Sequence, residues 1–258
     1  MAKNPPLPPA EDTPVPASFK VIVPLGRGAH GKTFWSRWAV ERAQLQGRSV
    51  VVADVDRTNA TLQRFFSDVK SPTLADDRTV LTWFDTFSEG IIRNKSTTLL
   101  DLGGGDQLFK QMNILGSVVS LFEDNGIQVV GVYFLGPDPD DLAVLRDLEK
   151  ERKFAPAAKI LVLNEALVPA ERPLESAFEP LMKLETFEEA VKGGARPILM
   201  PRLPNANQVD DRDLLFAAAL EDQGTKDHPP ISYWTKQMVK RWIHDMEKNF
   251  STVTNLLP

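Results

Sequence analysis

The sequence predicts an α/β fold: a doubly wound, mostly parallel sheet with helices on both faces. Three observations predict it. Short, β-branched apolar runs alternate with helix-length amphipathic stretches along most of the chain. Those runs are apolar throughout, as in strands buried on both faces of a parallel sheet. The first run is followed at once by Gly26-Arg27-Gly28-Ala29-His30-Gly31-Lys32-Thr33, a G-x-x-x-x-G-K-[ST] pattern lying between a strand and a helix.

Taken in order, residues 1–18 carry Pro5, Pro6, Pro8, Pro9, Pro14 and Pro16. Proline removes the donors that a helix or central strand needs, so this segment reads as a disordered or extended arm. Strands are expected at 19–25, 49–54, 97–101, 128–135, 159–164 and 197–200, most ending in a polar or glycine-rich turn. Helices are expected between them, at 32–46, 58–68, 106–125, 138–152, 173–192 and 209–220. Residues 19–225 then form one domain. Residues 226–258 form a C-terminal amphipathic helix and tail packed on the same domain. In a sheet of this kind ligands sit beyond the carboxyl ends of the strands.

Composition bounds the function. The chain has 258 residues, 42% hydrophobic and 25% charged, which is ordinary for a globular domain and long enough for one large core. It has no cysteine, which excludes disulfides and thiolate metal sites; three scattered histidines argue against zinc. A net charge of −5 argues against a protein coated in nucleic acid but leaves room for a local basic patch. No run reaches the roughly 18 apolar residues of a membrane span, and the first residues lack the apolar core of a secretory signal. The expected location is the cytoplasm.

The loop at 26–33 suits a chain of phosphates. Glycines let the backbone curl so that N–H groups point inward, Lys32 reaches the outer phosphates, and the Thr33 hydroxyl can ligate Mg²⁺. The helix that follows adds the positive end of its dipole. Two further segments support the assignment. The second strand ends in Asp54-Val55-Asp56, where one carboxylate can serve Mg²⁺ and the other an attacking water. The third ends in Asp101, followed by Leu102-Gly103-Gly104-Gly105-Asp106. A carboxylate after an apolar strand suits an outer-shell Mg²⁺ acceptor, and the glycines suit close approach to a γ-phosphate.

These three segments, in this order and at about this spacing, resemble the ParA/MinD family of P-loop ATPases with a deviant Walker A loop. The family belongs to the SIMIBI class that also holds the nitrogenase iron protein and dethiobiotin synthetase. The resemblance covers roughly 19–206. It implies ATP and Mg²⁺ as ligands, a nucleotide-dependent homodimer, slow hydrolysis, a partner of ParB type, and a role in plasmid partition, conjugation or the positioning of a large assembly. By position, Gly26 to Thr33 and Phe34 match the nucleotide cradle. Lys32 resembles the lysine on the β- and γ-phosphates, and Thr33, Asp54 and Asp101 the metal-binding set. Asp56 resembles the water-orienting carboxylate, and Asn164 the base-contacting asparagine. Arg27 stands where the family carries a lysine that crosses to the partner's phosphate, and it keeps the charge in a rigid planar head. His30 replaces a small residue; it either bonds a phosphate or, the preferred reading, faces solvent. Arg57 replaces a proline, and the stretch to Thr61 is about one residue short.

At 231–250 the pattern is an amphipathic helix, with Lys236, Lys240, His244 and Lys248 in one stripe beside Trp234, Met238 and Trp242. Lys236, Lys240, Arg241 and Lys248 offer a nonspecific DNA-backbone contact. The mostly polar tail 251–258 argues against a membrane anchor. Two other functions stay open: a small-molecule enzyme of the dethiobiotin synthetase type, and a nucleotide-holding switch with little hydrolysis. The acidic group Asp138, Asp140 and Asp141 reads as a helix N-cap rather than a substrate site.

Overall fold

The computed structural model describes residues 19–56, 61–74, 76–102, 114–150 and 154–258. Its centre is a six-stranded parallel sheet: β1 (Lys20–Leu25), β2 (Val51–Asp54), β3 (Thr98–Asp101), β4 (Gln128–Leu135), β5 (Ala158–Asn164) and β6 (Arg196–Met200), in the order β2-β3-β1-β4-β5-β6. All six expected strands are present within two residues of their expected ends.

Both faces of the sheet are covered, and the period of two along each strand shows how. Val21, Val23, Val129, Tyr133 and Leu135 enter one apolar cluster, while Ile22, Val130, Val132 and Phe134 enter the other. The first cluster is closed by α2 (Asp77–Asn94), α3 (Ile114–Glu123), α4 (Ala143–Lys150) and α5 (Glu185–Lys192). The second is closed by α1 (Lys32–Leu45), α6 (Phe216–Glu221) and α7 (Tyr233–Phe250). This is the doubly wound α/β arrangement. β1 lies at the centre, between β3 and β4, so the chain leaves its carboxyl end where the connections diverge to the two sides of the sheet.

Several helices differ from expectation. In place of a helix at 58–68, the described part holds only a 3₁₀ turn, Leu62–Arg64, and then runs beside β2 through a bridge from Ala53 to Lys70. The helix after it, α2, is not among the expected elements. Asp76 caps it by accepting from Thr79 N at 2.9 Å, and Val80, Phe84, Ser88 and Ile91 form its buried face. The expected helix 173–192 is three pieces, Leu174–Ala177, Glu179–Met182 and α5: Pro180, which has no N–H, falls at the first break, and Leu184, extended with ψ 138°, makes the second. The expected helix 209–220 is interrupted at Asp213, whose φ is 52°. There the buried Glu41 carboxylate instead accepts from Phe216 N (2.9 Å) and Ala217 N (2.7 Å) and starts α6. The expected helix 138–152 opens as a 3₁₀ turn, Pro139–Leu142, before α4. The arm at 1–18, Arg57, the first residues expected helical at 58–60, and Gly103–Gly105 with Asp106 lie outside the described residues. So do residues 107–113 of the expected helix 106–125 and residues 151–152 of the expected helix 138–152.

In α7 the buried face is Thr235, Val239, Trp242, Met246 and Phe250. Of the expected apolar stripe only Trp242 lies fully on it; Trp234, one position off the buried arc, is 67% exposed. Trp242 packs on Phe34 and Phe216 at ring distances of 5.2 and 4.6 Å and donates to Pro201 O at 2.8 Å. The tail is not loose: Val253 and Leu257 are buried in the same cluster. No helix among the described residues is long and apolar enough to cross a membrane. Removing the Trp242 ring would open a large cavity and orphan the Pro201 carbonyl. Trp242→Ala is expected to cost about 3–5 kcal/mol in urea unfolding; a loss under about 1 kcal/mol would mean that α7 does not hold this face.

Candidate nucleotide site

The loop leaves β1 pressed against β4. Gly26 has φ 145°, and a Cβ there would lie 2.9 Å from Phe134 O. Gly31 has φ 91°, and a Cβ there would meet Asn164 Nδ2 at 2.7 Å and Met200 Cε at 3.0 Å. Both positions require glycine. Gly28 is different, with nothing within 4 Å of its absent Cβ. Between Gly28 and His30, Ala29 has φ 61°, a left-handed conformation uncommon outside glycine. Gly31 is the N-cap of α1, so it has no side chain to bond the first-turn N–H groups.

Lys32 lies under this curl. It is 7% exposed, and its ammonium donates to Gly26 O at 3.1 Å and Arg27 O at 3.0 Å. Burial pulls its pKa below the usual lysine value, while the charges of Asp101 and Asp56 oppose that shift. The Thr33 hydroxyl is 3.1 Å from the Thr61 hydroxyl, joining α1 to the segment after β2.

Asp54 and Asp101 are paired in register at the ends of β2 and β3, both nearly fully buried. Asp54 accepts from Asp56 N (3.1 Å) and Leu62 N (3.2 Å), so the chain folds back over its carboxylate. Burial first, and the neighbouring Asp101 charge second, push the Asp54 pKa up to about 6. Two adjacent buried acids gain from a divalent cation. Among the described residues no group of three or more His, Asp or Glu could hold a metal alone. Thr33, Asp54 and Asp101 offer hard oxygen donors of the kind Mg²⁺ takes beside phosphate and water.

Asn164, which the resemblance gives as a base contact, lies at the loop with its amide used by the chain: Nδ2 donates to His30 O at 3.0 Å and Oδ1 accepts from Ala166 N at 3.0 Å. Phe34 turns its ring into the contact with Phe216 and Trp242. His30 departs from expectation. Its ring does not face solvent; it lies 2.8 Å from Asp141 Oδ1 and 2.9 Å from Gly28 O. Arg27, half exposed, reaches the same Asp141 oxygen at 3.1 Å. Of the acidic group after β4, Asp138 is the N-cap, accepting from Asp140 N at 2.9 Å.

Two side chains at the site carry no strong sequence signal. Asp141 was hidden within a plausible cap. Arg37, one turn beyond Thr33 on α1, is 2% exposed, stacks on Phe65 with its guanidinium 3.8 Å from the ring centre, and bonds Asp210 and Leu214 O. A charged residue on a helix face otherwise filled by Trp35, Trp38 and Phe34 was the available hint. Arg37, Arg64 and Phe65 face the loop across a cleft of about 310 Å³ that also holds Lys32 and Thr33.

No family model matches the chain, and no curated protein sequence matches it. Solved structures do. The MinD cell division protein of Aquifex aeolicus is 15% identical over 89% of this chain and 97% of that one, with a TM-score of 0.47. The chloroplast FtsY of Physcomitrella patens is 14% identical over 87% of this chain and 65% of that one, TM-score 0.47. A nucleotide-binding protein from Archaeoglobus fulgidus, in complex with ADP, is 15% identical over 76% and 86%, TM-score 0.43. Each similarity is weak. The fold class stands on the strand order and the loop geometry of this chain.

The Asp54 shift has a consequence for stability. Its carboxyl holds a proton more tightly in the folded chain (pKa about 6) than in the unfolded one (3.8). Between those values the folded state binds more protons, so stability falls as pH rises. In magnesium-free, nucleotide-free buffer, Asp54→Asn is expected to stabilise the chain more at pH 8 than at pH 4.5 in urea unfolding. An equal effect at both pH values would contradict the shift.

Proposed function

We propose that the chain is an ATPase of the ParA/MinD type, which binds ATP with Mg²⁺, dimerises on nucleotide and hydrolyses slowly to position plasmid DNA or a large assembly. One observation carries this reading: the G-x-x-x-x-G-K-T loop curls over Lys32 with in-register strand-end carboxylates, Asp54 and Asp101, beside it. The loop N–H groups and the start of α1 suit the phosphates. The Lys32 ammonium, bonded to two carbonyls, has a third proton for a phosphate oxygen. Thr33, Asp54 and Asp101 would hold the metal, which supplies positive charge between phosphate oxygens. Asp56, tied to Asp54 through its backbone, would orient the attacking water. Arg27, half exposed at the rim, would offer its charge to the facing subunit's phosphate. Such an arginine is worth on the order of 10³-fold or more in related chemistry.

The small-molecule-enzyme reading has less to draw on: of its acidic group, Asp138 is a cap and Asp141 is bonded to the loop, which leaves the exposed Asp140. The switch reading keeps one observation in its favour, the engagement of Arg27 within its own chain. ATP retained through purification, with no turnover on adding a partner protein or DNA, would favour it. For DNA, Lys240, Arg241 and Lys248 are exposed on α7, while Lys236 is half-buried and donates to Asp222 O at 2.7 Å. The proposed contact to nucleic acid backbone, and a partner of ParB type, extend the same reading.

Calorimetry with ATP and Mg²⁺ should show binding that Lys32→Ala abolishes. Asp56→Ala should bind, stop hydrolysing and accumulate as a dimer in gel filtration; a monomer under those conditions would refute the ParA/MinD assignment. Arg27→Ala should keep monomer affinity and lose turnover, and normal turnover would make Arg27 a bystander. Reversing Lys240 and Lys248 to Glu should lower retention on nonspecific DNA and its salt dependence; unchanged retention would remove α7 from the contact.

A further inference from the structure

The turn after β4 holds a carboxylate that the nucleotide mechanism does not use. Asp141 is 3% exposed. Its Oδ1 faces Arg27 Nη1 at 3.1 Å and His30 Nε2 at 2.8 Å, and its Oδ2 accepts from Gly136 N at 2.8 Å. Room for it is built in. A Cβ at position 136 would lie 2.6 Å from Oδ2, so only glycine lets the carboxylate reach that N–H. Asp138 sets the turn that aims it, with Asp141 N bonded to Asp138 O at 3.0 Å.

His30 is the link to the loop. One ring nitrogen faces the Asp141 carboxylate and the other faces Gly28 O, both acceptors. The ring bridges the two. It thereby spans Ala29, the one loop residue held at positive φ without being glycine. Strained backbone of this kind persists where its surroundings over-determine it. Here the surroundings are the His30 ring on one side and Asn164, gripping the His30 carbonyl at 3.0 Å, on the other.

We propose that Asp141 is a positioning residue for the phosphate loop: through His30 it pins the left-handed turn at Ala29, and so fixes the direction of the loop N–H groups that receive the phosphates. It touches no phosphate itself. The inference rests on the nucleotide reading above and assigns that site a support from the β4 side of the sheet.

Asp141→Asn keeps the volume and one oxygen for Gly136 N–H but removes the charge that His30 and Arg27 share. In calorimetry of the full chain with ATP and Mg²⁺, Asp141→Asn is expected to raise Kd by about tenfold or more, a charged hydrogen bond being the interaction lost. His30→Gln is expected to do the same, and the double variant to be no worse than the weaker binder alone, because both break one chain of contacts. Arg27→Ala gives the opposite split, with affinity kept and turnover lost. The melting temperatures of the nucleotide-free variants should stay near that of the wild type, which separates positioning from general destabilisation. Unchanged affinity in both single variants, or additive losses in the double, overturns the inference while leaving the nucleotide site intact. If Asp141→Asn does not fold, His30→Gln set against Arg27→Ala decides the question. No heat from the wild-type chain would overturn the nucleotide reading and this inference together.

Discussion

The carboxyl edge of this sheet is organised by how closely the loop after β1 passes its neighbours. At Gly26 the backbone runs within reach of the β4 backbone, and at Gly31 it runs over Asn164 and Met200. A side chain at either position would push the loop off the sheet. Because the loop stays down, its carbonyls meet the Lys32 ammonium, the His30 carbonyl meets Asn164, and the His30 ring meets the turn after β4. The central place of β1 in the strand order brings these elements to one crevice.

That crevice concentrates charge where water is scarce. Lys32, Asp54 and Asp101 are each nearly fully buried, and each would be costly alone. They compensate in part: Asp101 and Asp56 favour the charged lysine, yet Asp101 disfavours charge on Asp54. A polyphosphate would supply acceptors for the lysine, and a divalent cation would relieve the acid pair. On the proposed function, such a site would give up some stability of the isolated chain in return for affinity.

Much of this was legible from residue order, for identifiable reasons. Strands buried on both faces have to be apolar throughout, so β1 to β6 stand out. The loop stands out because its glycines and its Lys-Thr pair sit at fixed spacing. Helices were harder. α2 has an Asp cap and a buried face of Val80, Phe84, Ser88 and Ile91, but Ser88 in the middle breaks the apolar run. Pro180 and Asp213 break segments whose composition favours helix, and Glu41, far away in sequence, decides where α6 starts. In the site, Asp54, Asp101 and Lys32 could be named because strand ends and loop positions are local features. The partners of His30 and Arg27 could not, since they depend on a contact more than a hundred residues away.

Asp141 also bears on how Arg27 could serve a second subunit. The pair is half exposed on the arginine side, and ion pairs of that kind contribute little net stability. Arg27 can therefore leave Asp141 at small cost. His30 is far less exposed, and Gly136 N–H lies within the backbone of the turn, so those two bonds remain when the arginine departs. One carboxylate can thus keep the loop in shape and hold the arginine loosely. On the proposed dimer, Arg27 would exchange a weak partner in its own chain for a phosphate in the other, and the loop that receives the first phosphate would not have to rearrange.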